Sequence, residues 1–327
     1  MAMIKVSIIL PVLNEIKSIA QVLNNLLSDE SVSREIIVAD GGSVDGTDAW
    51  VASFALQHPE VRLIRNPDKY VSNALNRCIP EARGQYIAIL GAHADYPKTY
   101  IHTAVTFLDD HANYVMVGGP INHVAKTPTG KSIAFCMTSS FGMGNSAFRT
   151  SIKDMDSDTV PFPVYRKELF FALGGYDPAL IRTQDSDFHY RAIRAGYKIR
   201  MQESLRSDYH TREDLKSFSL QFYSYGFYKA HALVKPGYIM KWRHFVPACF
   251  TLYIIGLLLT TFFADASFRF RFPAFIYVLI AFYYSSRNWK NLSMFITNMI
   301  AFPLMHLSYG TGTVAGFLTI MLKKIKN

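Results

Sequence analysis

The sequence lacks the features that mark several large classes of protein. Its 327 residues include three cysteines, Cys78, Cys136 and Cys249, whose wide spacing fits neither a zinc site nor a disulfide framework. The formal net charge is +9, yet no long run of Lys or Arg is present, so we expect no nucleic acid as partner. A Gly-x-Gly-x-x-Gly after a strand and a P-loop are also missing, which argues against Rossmann dehydrogenases and P-loop NTPases.

The composition changes near residue 244, where short apolar runs give way to long stretches without charged residues. Half of all residues are apolar, a high share for a purely soluble enzyme. The uncharged segments cover about 245–263, 272–286 and 291–322. Lengths near 20 residues are typical of helices that cross a bilayer. The sequence therefore predicts two domains, residues 1–234 and a membrane region over 235–327.

The placement of the chain relative to the membrane follows from its flanking charges. Basic residues stand before the first uncharged segment and after the last one: Lys235, Lys241, Arg243, Lys323, Lys324 and Lys326. Such residues favour the cytoplasmic side, and no signal-peptide pattern opens the chain. We expect an inner-membrane protein with a cytoplasmic first domain, and leave the number of crossings open. Pro303 and the glycines that follow it predict a break or re-entrant turn within 291–322.

The first domain alternates strand-like and helical patterns, which predicts an α/β fold. The predicted strands are 6–10, 35–39, 61–65 and 85–90, and the predicted helices are 16–27, 47–57 and 71–82. Strand, helix, strand at this spacing gives right-handed crossovers and a parallel sheet. Ligands bind outside the carboxyl ends of strands in such sheets, so polar motifs there are candidates for function.

Two such motifs follow consecutive strands. The first is Pro11-Val12-Leu13-Asn14-Glu15, and the second is Asp40-Gly41-Gly42-Ser43-Val44-Asp45-Gly46-Thr47. The paired glycines allow a close backbone approach or a positive φ, and a carboxylate beside them can accept a hydrogen bond from a base or ribose. Either motif alone is compatible with an ordinary helix cap or turn. Their occurrence at consecutive strand ends favours a ligand site.

These motifs resemble the nucleotide-binding half of family-2 glycosyltransferases with the GT-A fold. The resemblance continues through Ala74-Leu75-Asn76 and Ala82-x-Gly84-x-Tyr86-Ile87. More narrowly, the chain is similar to the succinoglycan-type exopolysaccharide transferases. The motifs that carry this match are Ala92-His93-Ala94-x-Tyr96-Pro97, Phe141-Gly142-x-Gly144, Asp158-Thr159-Val160, Gly174-Gly175-Tyr176-Asp177, Gln221 with Tyr225-Gly226, and His306-x-x-Tyr309-Gly310-x-Gly312. The resemblance implies a mostly parallel central sheet with flanking helices, followed by C-terminal transmembrane or interface helices.

The resemblance also implies a donor site for a nucleotide-sugar, with a UDP-sugar as first choice, and a divalent cation, Mn or Mg. The implied nucleotide-binding residues are Pro11, Asn14, Glu15, Asp40, Gly41, Gly42, Lys69, Asn73 and Ala92. The family usually has Asp-x-Asp or Asp-x-His after the fourth strand, and here the first Asp is Gly91. His93 and Asp95 are the remaining candidate metal ligands. Either the protein supplies fewer ligands, or Asp95 substitutes for the missing one, or the metal site is weakened.

The candidate base lies in the segment that begins at Thr183. The resemblance assigns the proton-accepting carboxylate to Asp185, with Asp187 as an alternative, and a simple helix cap is the bland interpretation. The helix dipole at a helix start keeps a carboxylate ionised and ready to accept a proton. The residues expected on the acceptor or diphosphate side are Gln184, Asp187, Arg191, Gln221 and Lys229. The last two fall in 207–233, which has helical spacing and resembles an interface helix.

The sequence thus predicts an inverting hexosyltransferase that acts on a membrane-bound glycan, with a polyprenyl diphosphate as the expected lipid, in exopolysaccharide or cell-surface polysaccharide synthesis. The departure at Gly91 motivates an alternative, a catalytically weak subunit that binds nucleotide sugar as a scaffold. A processive synthase is disfavoured because Gln-x-x-Arg-Trp is absent, since Gln221 precedes Phe222-Tyr223-Ser224-Tyr225.

Overall fold

The computed structural model describes residues 3–144, 146–234, 244–263 and 268–326. The chain forms two compact units, Met1–Asn122 with Ser151–Tyr209, and His123–Thr150 with His210–Asn327. The predicted domain boundary between 234 and 235 adjoins residues outside the described ranges and stays a prediction. The basic residues Lys235, Lys241 and Arg243 also lie outside them.

The described strands and helices follow the chain in the order β-α-β-α, and long helices dominate the C-terminal third. The strands are β1 (Val6–Val12), β2 (Arg34–Asp40), β3 (Val61–Arg65), β4 (Tyr86–Ile89), β5 (Ala94–Asp95), β6 (Tyr114–Gly118), β7 (Ile121–Val124), β8 (Met155–Asp156), β9 (Val164–Arg166), β10 (Lys198–Met201) and β11 (Ser207–His210). The helices are α1 (Ile19–Leu27), α2 (Thr47–Gln57), α3 (Val71–Glu81), α4 (Tyr100–Asp110), α5 (Pro128–Thr138), α6 (Ser140–Met143), α7 (Ala147–Thr150), α8 (Glu168–Leu173), α9 (Gln184–Arg194), α10 (Leu215–Leu233), α11 (Val246–Phe263), α12 (Phe268–Arg287) and α13 (Leu292–Lys326), with a 3-10 turn at Glu203–Leu205.

The main sheet has the strand order β3-β2-β1-β4-β9-β6-β10-β8. Strands β3, β2, β1 and β4 are parallel, as predicted, while β9 runs antiparallel to both of its neighbours. The central strands β1 and β2 are near-continuous apolar runs because helices cover both faces of a parallel sheet. The register places Val12 opposite Asp40 and Asp40 opposite Arg65, so three strands end at one level. A second sheet has the order β5-β11-β7.

Two predicted helix starts differ from the structure. Helix α1 begins at Ile19 and not at residue 16, because Asn14 adopts φ 58° and the main-chain N–H of Ile16 donates to Asp45 Oδ2. The spacing of 207–233 predicts a helix throughout, but Ser207–His210 is strand β11 and helix α10 starts at Leu215. There the side chain of Asp214 caps the helix by accepting from Ser217 N at 2.8 Å.

A fully buried carboxylate joins the strands of the first unit. Glu35 on β2 is 0% exposed and accepts hydrogen bonds from Ser7 Oγ at 2.7 Å and from the main-chain N–H of Arg83 at 2.6 Å. The guanidinium groups of Arg83 and Arg62 contact its Oε2 at 2.8 and 3.1 Å. Burial by itself raises the pKa of Glu35, but the hydrogen bonds from Arg83 and Ser7 outweigh it and hold the pKa below 4.5, the ordinary value.

Helix α13 of the second unit is continuous over 35 residues, which contradicts the predicted break at Pro303 and the glycines after it. These glycines serve close packing. A Cβ on Gly312 would lie 2.0 Å from the carbonyl oxygen of Tyr223, and one on Gly226 would lie 2.0 Å from that of Tyr309. Because α10 carries Gly226 and Tyr223 and α13 carries Tyr309 and Gly312, the backbones of the two helices are in direct contact at these glycines.

The three uncharged segments of the sequence correspond to α11, α12 and α13. Among the described residues, one helix, over Leu292–Lys323, is long and apolar enough to cross a membrane by length and composition. The apolar part of α11, Val246–Thr260, is shorter.

We expect Glu35→Gln to lower the free energy of unfolding at pH 7 by about 2 kcal/mol, because two guanidinium groups lose a buried carboxylate but remain partly solvated. A depressed carboxylate pKa contributes stability above the unfolded value, so the difference from wild type should shrink as pH falls from 7 through 4.5 and below. Urea unfolding of the variant and the wild type at pH 7 and at pH 4.5 measures this difference. The exposed Glu81, which lies 3.7 Å from Arg62, is the control, and Glu81→Gln should change stability by less than about 0.5 kcal/mol. Equal losses in both variants would contradict the role of Glu35.

The glycine contact between α10 and α13 predicts that the same substitution has different effects on stability at two helical sites. Gly312→Ala should destabilise the second unit by about 1–3 kcal/mol, because the new methyl group forces two backbones apart. Gly256→Ala in α11 meets only Phe270 Cζ at 3.7 Å, and should be neutral or stabilise by up to about 1 kcal/mol through helix propensity. Thermal unfolding of the full chain in detergent distinguishes them, and equal melting temperatures would refute the packing account.

Candidate active site

Hydrogen bonds join the loop after β1 to the loop after β2. The main-chain N–H of Asn14 donates to Ser43 Oγ at 2.8 Å, and Asn14 Oδ1 accepts from Val44 N at 2.9 Å. The N–H of Glu15 donates to Thr47 Oγ1 at 2.9 Å. The two sequence motifs therefore form one hydrogen-bonded unit, in which the side chains of Ser43 and Thr47 link the two loops.

The loop after β2 leaves a buried acceptor available. Oδ2 of Asp40 accepts from the N–H groups of Gly42 and Ser43 at 2.9 and 3.0 Å. Oδ1 is buried and has no hydrogen-bond partner among the described residues. Gly42 has φ +86°, and a Cβ on Gly41 would lie 3.0 Å from Lys69 O, so both glycines are needed for this backbone path. An unpaired buried oxygen is costly, and a ligand N–H or O–H would satisfy it.

Asn66, directly after β3, is a further candidate site residue, which no motif in the sequence marks. Its N–H donates to Asp40 O at 2.7 Å, and its Nδ2 donates to Tyr70 O at 3.0 Å. Its Oδ1 is also buried without a partner among the described residues. The only sequence signal was a polar residue at a third strand end. The predicted nucleotide ligands Lys69 and Asn73 follow it, Lys69 exposed at φ +66° and Asn73 in the first turn of α3.

The structure pairs Glu15 with His93. His93 Nδ1 lies 3.1 Å from Glu15 Oε1, and Ser18 Oγ donates to Oε2 at 2.8 Å. The hydrogen bond with His93, helped by the one from Ser18 and opposed by burial, holds the pKa of Glu15 below its usual range. Pro11 belongs to β1, and Ala92 beside His93 is buried. Glu15, which is predicted to bind the nucleotide, and His93, which is predicted to bind the metal, are therefore in direct contact.

The place of the usual first carboxylate is crowded. A Cβ on Gly91 would lie 3.2 Å from the Phe162 ring, and Phe162 itself has φ +48°. Tyr96 Oη bonds to both N and O of Gly91, which fixes the loop. Asp95 accepts from Gln21 Nε2 at 3.3 Å and belongs to β5.

Within the described part of the chain, no three His, Cys, Asp or Glu side chains gather as a metal site would require. The donors near Gly91 therefore do not fit a cation that is enclosed by protein ligands alone.

The candidate base stands at the start of α9 as predicted. Asp185 is exposed in the first turn, with Oδ1 accepting from Ser186 N at 2.8 Å. The preceding Thr183 has φ +67°, and its Oγ1 and the Oε1 of Gln184 are buried without partners among the described residues. Strain and unpaired polar atoms therefore accumulate in the two residues before Asp185.

Asp187 and Arg191 form an ion pair at 3.0 Å within α9. Arg191 also donates to the carbonyl oxygens of Leu173 and Gly175 at 2.6 and 2.7 Å. These contacts fasten α9 to the turn after α8. They favour Asp185 over Asp187 as the base, and the ligand contacts expected of Asp187 and Arg191 stay predictions.

His189 anchors the buried face of α9. Its Nδ1 and Nε2 lie 2.8 Å from Thr159 Oγ1 and Tyr165 Oη. Burial lowers the pKa of His189 to about 4, so the ring is neutral at pH 7. Tyr176 continues the chain of bonds by donating to Tyr165 Oη, and Asn76 binds the main chain of Tyr176. The motifs around residues 76, 159 and 176 thus support the helix that carries Asp185.

The two remaining predicted residues lie on α10 in the second unit. Gln221 is buried, and its Nε2 donates to Tyr225 Oη at 2.9 Å. Lys229 is half-buried. Their predicted role on the acceptor side stays a prediction.

The strain at Thr183 predicts a variant that is more stable and less active. Thr183→Gly removes a β-branched residue at positive φ and an unpaired buried hydroxyl, and should raise the free energy of unfolding by about 1 kcal/mol. Any transfer rate should fall, because the start of α9 beside Asp185 becomes less constrained. Urea unfolding and a transfer assay measure the two effects. Thr103→Gly inside α4 is the matched control, expected to destabilise by about 1 kcal/mol. A destabilised Thr183→Gly would show that the φ value is not strained.

Comparison with known proteins shows the family of the chain. The model of the family described as glycosyl transferase family 2 matches residues 7–171. The chain is 30% identical over 256 residues to the succinoglycan biosynthesis protein ExoA of Rhizobium meliloti, covering 77% of each chain. It is 28% identical over 269 residues to the dolichyl N-acetyl-alpha-D-glucosaminyl phosphate 3-beta-D-2,3-diacetamido-2,3-dideoxy-beta-D-glucuronosyltransferase of Methanococcus voltae, covering 78% of this chain and 81% of that one.

Among solved structures, the fold is similar to the mannosyltransferase PcManGT from Pyrobaculum calidifontis in complex with GDP-Man and Mn²⁺. The TM-score is 0.64 at 17% identity, covering 96% of this chain and 87% of that one. The resemblance read from the motifs is confirmed: the chain belongs to glycosyltransferase family 2 and is a glycosyltransferase with the GT-A fold.

Proposed function

We propose that this enzyme is an inverting transferase that moves a sugar from a nucleotide-sugar to a hydroxyl group of a lipid-linked glycan in polysaccharide synthesis. The observation that carries the mechanism is Asp185, an exposed carboxylate in the first turn of a helix that His189 and Arg191 hold from the inside. An ionised carboxylate at a helix start is what a base for a sugar hydroxyl requires.

The donor nucleotide would bind at the ends of β1, β2 and β3. The unpaired Oδ1 atoms of Asp40 and Asn66 are acceptors for donors on the base or ribose. The backbone at Gly41 and Gly42 has no side chains to keep a ligand away. We take a UDP-sugar as the first candidate for the donor. GDP-Man, which PcManGT binds, is the second.

The reaction would be a single displacement. Asp185 takes the proton of the acceptor hydroxyl while that oxygen forms a bond to the anomeric carbon. The bond from that carbon to the diphosphate oxygen breaks on the opposite face, so the anomeric configuration inverts. A divalent cation, when bound, would neutralise the charge that grows on the leaving diphosphate. One carboxylate suffices because the leaving group needs charge neutralisation and no proton.

The second unit supports an acceptor that stays in a membrane. Besides the long apolar helix α13, helices α11 and α12 turn large apolar side chains outward, among them Leu252, Leu258, Phe275 and Phe282, each more than half exposed. Extended apolar surface of this kind marks contact with lipid or protein. The Methanococcus voltae relative is named for transfer to a dolichyl phosphate sugar, and the ExoA relative for succinoglycan synthesis. We place the enzyme at the cytoplasmic face of the inner membrane.

A weak or inactive nucleotide-sugar-binding subunit is the second candidate. The observation that favours it is the Phe162 ring, which crowds the position where the family usually has a metal-binding carboxylate.

Asp185→Asn decides between these two functions. In the transferase, the variant should lose transfer by about 10²–10⁴-fold while it still binds nucleoside diphosphate, because only the proton acceptor is removed. The assay is sugar transfer to a polyprenyl-diphosphate glycan, with the anomeric configuration of the product read by NMR.

Asp187→Asn is the matched control. It should lower the melting temperature through loss of the Arg191 ion pair and reduce the rate less than Asp185→Asn does. Nucleotide-sugar binding without transfer in the wild type would favour the scaffold. A product of retained configuration, or full activity in Asp185→Asn, would refute the proposed mechanism.

A further inference from the structure

The first unit has two neighbouring cavities beside α1 and the second sheet. One, of about 190 Å³, lies between the C-terminal half of α1 and the segment 94–101. The other, of about 470 Å³, is lined by residues of β5, β7 and β11 and of the loops beside them. Tyr96 and Pro97 line both cavities, which are therefore adjoining parts of one groove. Because His93 is three residues before Tyr96, their Cα atoms are at most about 11 Å apart, and the groove begins close to the candidate donor site.

Polar side chains of the second sheet form a row of hydrogen bonds along the larger cavity. Arg206 Nη2 donates to Asn122 Oδ1 at 3.0 Å, and Asn122 Nδ2 donates to Asp208 Oδ1 at 2.6 Å. The amide of Asn122 thus holds a guanidinium on one side and a carboxylate on the other. Asp208 Oδ2 has no donor among the described residues, and the Arg206 side chain is exposed. One fixed acceptor and one fixed group of donors therefore face the same cavity.

A second carboxylate lies beside Asp208. Asp95 is directly opposite it in the antiparallel pair of β5 and β11, where like charges destabilise a sheet. Gln21 Nε2 donates to Asp95 at 3.3 Å, a long hydrogen bond. Two carboxylates can accept more hydrogen bonds than the amides of Gln21 and Asn122 donate. A neutral ligand with several hydroxyl groups would supply donors to this pair, whereas an anionic ligand would be repelled by it.

The wall between the two cavities is rigid and largely apolar. Tyr96 Oη is bonded to the main chain of Gly91, and the Tyr96 ring meets those of Tyr100 and Phe162 edge-on, with centroids 5.3 and 5.2 Å away. The smaller cavity combines apolar and polar side chains: Val22, Leu26, Ile101, Asn25, Asp29 and Lys98. Apolar walls with a few fixed polar groups are typical of small-molecule sites. A pyranose matches such a wall, because it presents C–H groups on its faces and O–H groups around its edge.

We propose that this groove binds an uncharged pyranose of the acceptor glycan, at least one sugar beyond the residue that receives the new sugar. Its hydroxyl groups donate to Asp208 and accept from Arg206, and Asn122 is the positioning residue that holds both side chains. This inference rests on the proposed function, because the glycan is the acceptor of the proposed transfer. The enzyme then distinguishes acceptors by the length of the glycan as well as by the sugar that is extended.

The first test is direct binding of simple sugars to the full chain in detergent, measured by saturation-transfer NMR. The probes are the methyl β-glycosides of glucose, galactose, glucuronic acid and glucosamine, with UDP and GDP present so that sugars do not enter the donor site. We expect the two neutral glycosides to bind. Asp208→Asn and Arg206→Met should each weaken that binding by about 10-fold, because each removes hydrogen bonds that involve a charged group. A preference for the glucuronide or the glucosaminide would contradict the assignment to an uncharged sugar.

The second test compares transfer to polyprenyl-diphosphate acceptors that carry one sugar and three sugars. Both variants should raise the KM for the three-sugar acceptor by about 10–100-fold, with a smaller effect on the one-sugar acceptor and on kcat. Glu203→Gln is the matched control, since this exposed residue lines neither cavity, and it should leave both KM values unchanged. Thermal unfolding checks that each variant is folded. Arg206→Met, at an exposed side chain, keeps the test decisive if Asp208→Asn does not fold.

The two proposals can fail separately. Unchanged glycoside binding and unchanged KM in folded Arg206→Met overturn this inference and leave the proposed function standing. An equal loss of kcat with both acceptors, at unchanged KM, also overturns it, since a groove for a distant sugar affects acceptor binding. If the wild type binds the neutral glycosides but transfers no sugar to either acceptor, the proposed function falls, and the assignment of the bound sugar to an acceptor falls with it.

Discussion

The hydrogen bonds between the loops after β1 and β2 are the constraint on which the site depends. Parallel strands bring their carboxyl ends to one edge of the sheet, but they do not fix the loops beyond it. Here Asn14 and Glu15 are fastened to Ser43, Val44 and Thr47 through both main chain and side chains. This fastening delays the start of α1 and holds the Glu15 side chain where His93 can meet it. This connection accounts for the position of Glu15, while Asp40 is positioned as the last residue of β2.

Strand β2 carries two acidic residues, Glu35 near its start and Asp40 at its end, and their carboxylates have different surroundings. Glu35 is surrounded by hydrogen-bond donors from Ser7, Arg62 and Arg83, and its charged contacts join neighbouring strands. Asp40, five positions later, has one oxygen hydrogen-bonded within its own loop, and the other is buried without a partner in the described part of the chain. A buried carboxylate stabilises the fold when both of its oxygens are hydrogen-bonded. When one oxygen has no donor, the carboxylate destabilises the fold, and a ligand that donates to that oxygen restores the lost stability.

The non-glycine residues with a strained backbone lie, like Asp40, close to candidate site residues. Among the described residues, the non-glycine residues at positive φ are Asn14, Lys69, Phe162 and Thr183. They lie in the loops after β1 and β3, beside Gly91, and before Asp185. Such conformations cost about 1–3 kcal/mol each and persist where the surrounding structure imposes them. The buried network of His189, Tyr165 and Thr159 supplies that support for α9. None of these four residues lies in the second unit, where glycines let α10 and α13 approach to backbone contact.

Local periodicity was enough to predict the first four strands and their parallel arrangement. The GT-A class and most of the candidate residues came from the resemblance that the motifs at the strand ends carry. The sequence also located the apolar helices. It did not determine the contacts between motifs distant in the chain, such as Glu15 with His93 or Phe162 with Gly91, since no local pattern encodes them. A local rule on proline and glycine predicts a break at Pro303, but helix α13 is continuous there, and its glycines pack against α10, a partner that no local pattern identifies. Asn66 gained its significance in the same way: an amide after a strand is ordinary, and its burial without a donor is decided by what packs around it.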